Sequence, residues 1–84
     1  MALTTTYTIV PFLRGVGGRL HPGAPRRSSQ CDAAIAAADE IAPFYAGVIV
    51  LKERSDAARG TFLEPLLICV IGDVPDDLMT QLAA

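Results

Sequence analysis

Val48-Ile49-Val50-Leu51, then Ser55-Asp56-Ala57-Ala58-Arg59-Gly60, then Leu66-Leu67-Ile68-Cys69-Val70-Ile71 are the residues on which the fold turns. Two apolar runs separated by a polar turn predict a β-hairpin between Gly47 and Gly72. Val48 and Val50 alternate with Ile49 and Leu51 along a second strand at 47–54. Phe62, Leu66, Ile68 and Val70 alternate with Leu63, Leu67, Cys69 and Ile71 along a third at about 61–72. Both faces of the third strand are apolar, the pattern of a strand covered on two sides.

Working back towards the N-terminus, Ser29-Gln30-Cys31-Asp32 reads as a capping box, with Asp32 at the positive end of the helix dipole. Cys31, Ala34, Ile35, Ala38, Ile41, Ala42 and Tyr45 then recur at three- and four-residue steps as one apolar stripe. Pro43 sets the end of this helix near 42–45, and Gly47 releases the chain into the second strand. Residues 3–13 alternate as a first strand, with Leu3, Thr5, Tyr7 and Ile9 as core face and a Thr-rich, partly wet opposite face. Pro11 cannot donate to a ladder, so this strand is expected at an edge. Beyond the hairpin, Asp73 or Val74 opens a short C-terminal helix, with Pro75, Asp76 and Asp77 in its first turn and Leu78, Met79 and Leu82 on its apolar side.

The expected architecture is a single α+β domain over residues 1–84 with element order β-α-β-β-α. A crossover from the first strand to a parallel second leaves the third between them, giving a three-stranded sheet in order 1-3-2, a truncated ferredoxin-like arrangement with one main and one short helix. A chain of 84 residues with 51% hydrophobic and only 19% charged residues has more apolar surface than such a frame hides. Self-association follows as the leading expectation, a homodimer formed through the sheet face or the edge of the first strand, with Val48, Val50, Leu66, Ile68 and Val70 as the interface.

The second feature is electrostatic. Residues 14–28 form a basic Gly/Pro-rich stretch read as a loop: Arg14, Arg19, Arg26 and Arg27, four glycines, two prolines, the single histidine His21 and no acid. Its formal charge is +4, while the remaining three basic and nine acidic residues make −6, an asymmetry hidden by the total of −2. These four arginines are candidate anion- or nucleic-acid-binding residues, the alternative function. Against it, Gly15-Val16-Gly17-Gly18 is no P-loop and the stretch holds no aromatic for base stacking. Ordinary solvation, or pairing with the protein's own acids, accounts for the charge as simply.

Other chemistry is weakly encoded. Cys31 lies at a helix start near arginines, a setting that favours thiolates, but its place on the stripe reads as packing and Asp32 opposes a negative charge. Whether Cys31 and Cys69 pair is open; the expectation is two reduced thiols. Asp73, Asp76 and Asp77 lack calcium-loop spacing, and His21 has no second histidine with which to share a metal. No catalytic residue, cofactor or metal is expected. The longest uncharged runs, Met1–Leu13, Ile41–Leu51 and Pro65–Gly72, are too short to span a bilayer as a helix. With no basic n-region or apolar h-region at the N-terminus, a cytoplasmic protein is the expectation.

Tyr7-Thr8-Ile9-Val10-Pro11-Phe12, the Arg/Gly/Pro stretch, Ala46-Gly47-Val48-Ile49-Val50-Leu51 and Gly72-Asp73-Val74-Pro75-Asp76-Asp77-Leu78 carry a likeness. Over nearly its whole length the chain resembles small bacterial βαββα proteins without assigned activity. The resemblance implies a bacterial, in some members phage-associated, origin and transfers no catalytic residue.

Overall fold

The computed structural model describes residues 3–78. Its frame is two β-hairpins laid side by side. The first pairs β1 (Leu3–Arg14) with a returning strand in two pieces, β2 (Leu20–Pro22) and β3 (Arg26–Ser28). The second pairs β4 (Gly47–Asp56) with β5 (Thr61–Phe62) and β6 (Leu66–Gly72). β1 and β4 join the hairpins in an unbroken antiparallel ladder running from Leu3↔Asp56 to Phe12↔Gly47. Among the described residues the result is a six-stranded, wholly antiparallel-paired sheet with one α-helix, α1 (Cys31–Ile41).

This overturns the three-stranded, two-helix arrangement in order 1-3-2. The basic stretch, expected as a loop, contains two of the added strands. Gly17 and Gly18 both take positive φ and close the first hairpin, where the Gly15 amide donates to the Arg19 carbonyl at 2.7 Å. Beyond that turn the chain returns along β1 as an edge strand, where Pro22 and Pro25 are tolerated. Pro11 does not mark an edge either. Its carbonyl accepts from the Gly23 amide at 2.8 Å, so the face of its peptide that lacks N–H looks away from β4. The register slips by one residue between Phe12↔Pro22 and Ile9↔Arg26, so the break between β2 and β3 falls opposite the missing donor. β1 is therefore interior, and the expected pairing through its edge is excluded.

The expected parallel crossover from the first strand to 47–54 is absent, since β1 and β4 pair antiparallel. β3 and β4 both run antiparallel to β1, hence parallel to each other, and α1 connects them over β1. Ala34 and Ala38 are fully buried against Ile9, Val48 and Val50, with Tyr7, Ile41, Tyr45, Cys69 and Ile71 around them. Alanines on the stripe let the helix lie close to the sheet. The capping box does not form: Gln30 is the N-cap without a side-chain bond, and it is the Ser28 hydroxyl that accepts from the Gln30 amide (3.2 Å). The helix ends at Ile41 and passes into a 3₁₀ turn, Ala42–Phe44, bearing Pro43.

On the opposite face Phe12, Ile49, Leu51 and Leu78 form a second buried cluster, flanked by Val10, Leu67 and Val74. The covered central strand is thus β4, not the run 66–72, which lies at an edge. The chain reaches the second face by turning at Gly72, whose φ is +73°. It then passes so close over Gly47 that a Cβ there would overlap the Asp73 carbonyl. Asp76 and Asp77 lie in a turn and the Leu78 amide donates to the Pro75 carbonyl at 3.1 Å, while the rest of the expected C-terminal helix, with Met79 and Leu82, falls outside the described residues. No helix among the described residues is long and apolar enough to cross a membrane.

Candidate functional site

The four arginines do not converge. Arg14 ends β1 and is held by Asp73 Oδ2 at 2.8 Å and the Gly18 carbonyl at 3.2 Å. Arg19 lies at the hairpin turn. Arg26 and Arg27 are neighbours on β3, opposite Ile9 and Thr8, so strand alternation sends them to opposite faces. Arg14 and Arg27 share a face, but their levels on β1 are separated by the span from Thr8 to Arg14, roughly 20 Å of strand at ~3.3 Å per residue.

The apolar candidates divide as cleanly. Val48 and Val50 are 0% exposed beneath α1, within one chain. Leu66, Ile68 and Val70 are 44%, 39% and 46% exposed on β6, whose outer edge pairs with no strand among the described residues. A bulge at Leu67–Ile68 opposite Leu51 bends this strand but leaves it open. Between Glu64 and Asp73 it carries no charge. The other sheet edge, β2 and β3, bears His21, Pro22, Arg26 and Arg27.

Cys31 and Cys69 are both free and half-buried. His21 sits beside Leu13, while β3, leading to Cys31, ends beside Tyr7, so thiol and imidazole occupy opposite ends of the hairpin. Among the described residues no group of His, Cys, Asp and Glu is placed to hold a metal ion.

One site is invisible in linear sequence. On the half of the second face that residues 73–78 do not reach, a trough of about 410 Å³ lies over Thr6, Glu53 and Ser55, with Arg27 at one end and Phe62, Leu63 and Pro65 at the other. The register puts these on one face: Thr6 is opposite Glu53, Thr8 opposite Arg27, and Ser55 opposite Phe62. Arg54 borders the trough, although it pairs with Thr5 and so alternates towards the helix side; its Nε is buried without a hydrogen-bond partner. The Glu53 carboxylate accepts from the hydroxyl of buried Thr8. Arg27 makes no ion pair, and Thr6 and Ser55 hydroxyls make no hydrogen bond, among the described residues. Reading 20–28 as a broken strand in phase with Thr8 would have exposed this grouping; reading it as a loop conceals it. No family model, curated protein or solved structure matches the chain.

Proposed function

We propose that the protein is a non-enzymatic interaction module that self-associates by antiparallel pairing of β6 with β6 of a second copy. The supporting observation is the contrast between its two sheet edges. Proteins guard exposed edges with charge, proline, bulges or a covering element. The β2/β3 edge carries two arginines on β3 and prolines at 22 and 25, whereas β6 offers a bulge but no charge, no internal proline and three exposed apolar side chains.

This asymmetry also favours closure at two. Antiparallel pairing of one strand with its own copy is isologous. Head-to-tail stacking would need β6 to accept the cationic, proline-bearing edge, which blocks an open filament. The four arginines, dispersed over two faces and a turn, support no common phosphate-binding surface.

Sedimentation equilibrium tests the reading. The wild-type chain of 8.9 kDa should show twice that mass at micromolar concentration, and Ile68→Lys/Val70→Lys should show the single mass with unchanged circular dichroism. A wild-type chain that stays at the single mass throughout the micromolar range refutes it.

A further inference from the structure

We propose that the trough over Thr6, Glu53 and Ser55 is a binding site for a small zwitterion with an apolar side chain, that is, an α-amino acid of the phenylalanine or leucine type. The proposal is independent of self-association, since the trough opens on the sheet face and β6 presents its edge in the plane of the sheet.

The volume of about 410 Å³ falls within the range of roughly 300–1,000 Å³ of small-molecule sites. Its charged groups are Arg27 and Glu53 on the trough's own face and Arg54 at its border, directed by alternation to the helix side, and among the described residues no ion pair joins Glu53 to either arginine. Arg27 has no ionic partner among the described residues, and Glu53 takes one hydroxyl bond from Thr8, which leaves further acceptor capacity on its two oxygens. A purely anionic ligand would meet Glu53 unfavourably, and a purely cationic one would meet Arg27. A ligand carrying both charges satisfies both. The Thr6 and Ser55 hydroxyls lie on the floor between, unpartnered among the described residues, as donors or acceptors for the carboxylate and ammonium.

The apolar end fixes the side chain. Phe62 is 83% exposed, and with Leu63 and Pro65 it forms a wall that no apolar side chain covers among the described residues. An aromatic ligand side chain would stack on Phe62 and remove both surfaces from water. The guanidinium matches the planar geometry of a carboxylate. Carboxylate on Arg27, ammonium on Glu53 and side chain towards Phe62 follows the order of these groups along the trough.

The test is an amide chemical-shift titration of the ¹⁵N-labelled full chain with three probes: L-phenylalanine, 3-phenylpropionate, which lacks the ammonium, and 2-phenylethylamine, which lacks the carboxylate. L-Phenylalanine should give saturable shifts at Thr6, Ser55 and Phe62, and each singly charged probe should bind about tenfold or more weakly, as expected for loss of one charge-assisted contact. Arg27→Gln should bring L-phenylalanine down to the affinity of phenylethylamine, and Glu53→Gln, which retains an acceptor for Thr8, down to that of phenylpropionate. Equal binding of the three probes, shifts centred elsewhere, or no saturable shift up to the solubility of L-phenylalanine would overturn the proposal. The wild-type comparison decides it even if a variant fails to fold, and a wild-type chain at the single mass that still gives the expected titration would count against self-association alone.

Discussion

Replacing Gly47 by alanine isolates the device by which one chain covers both faces of its sheet. Gly47 is buried and pairs with Gly72. A Cβ at 47 would overlap the Asp73 carbonyl and lie 3.0 Å from the Asp73 nitrogen, both backbone atoms with no flexible end to yield. The Asp73 amide also donates to the Ala46 carbonyl at 2.9 Å, so the chain cannot lift away without breaking that bond. Overpacking of this kind costs about 1–3 kcal/mol. Reduced freedom of the unfolded chain returns roughly 0.4–1 kcal/mol. If residues 73–78 detach instead, the buried Leu78 is exposed, at a cost of about 1.5–3 kcal/mol. Either route leaves a net loss near 1–2 kcal/mol, seen in urea denaturation and, at ~4–8 °C per kcal/mol for a domain of this size, as a fall in Tm of about 5–15 °C. Gly60→Ala is the control: its φ is +63° with nothing within 4 Å of the methyl group that alanine would add, so only backbone strain of about 1–2 kcal/mol opposes it. The distinction lies in where the damage goes. Gly47→Ala should raise hydrogen exchange at the bonded amides of Asp73 and Leu78, and Gly60→Ala should not. Wild-type stability for Gly47→Ala, or unchanged protection of the 73–78 segment, would refute the reasoning.

Two further substitutions probe the frame. Ala38→Leu places a large side chain where α1 has no space above Val48 and Val50, and should lower unfolding free energy by about 1–3 kcal/mol in the same denaturation assay. Asp56, buried at the second hairpin turn, accepts from the Ala58 amide at 3.1 Å and lies 3.8 Å from Arg59 Nε. Asp56→Ala should therefore cost about 1–2 kcal/mol while Asp56→Asn, which keeps the amide acceptor, should cost less than half as much; equal losses would mean that the charge, not the turn bond, matters.

The second hairpin, its polar turn and the helix with its Pro43 terminus were legible because each has a local cause: alternation, a turn sequence, a three-and-four periodicity. Strand order was not. Apolar residues on both faces of 66–72 suggest a central position, but exposure at Leu66, Ile68 and Val70 places that strand at an edge, while Gly47–Leu51, equally apolar, is buried on both faces. Local patterning reports that a segment has two greasy sides, not what lies against them. The candidate trough was less legible still, because Arg27, Thr6, Glu53 and Phe62 meet only through three strand registers, each set by a different turn or bulge.

The basic stretch carries the more general lesson. Glycine, proline and arginine between 14 and 28 have the composition of a loop, and they also have the composition of a guarded edge strand. Both states need the same things: backbone that does not require a full ladder, and charge that discourages association. Discrimination comes from position, not content. Pro22 and Pro25 flank the one place where the edge strand breaks, and that break stands opposite Pro11, whose nitrogen could not have donated across it. Prolines on neighbouring strands that fall at one level of a ladder share a single gap in hydrogen bonding, whereas the same prolines at scattered levels would each open another. Their coincidence here argues that residues 20–28 were shaped as a strand, whereas 66–71 on the far edge hold no proline and pair along β4 with a single bulge.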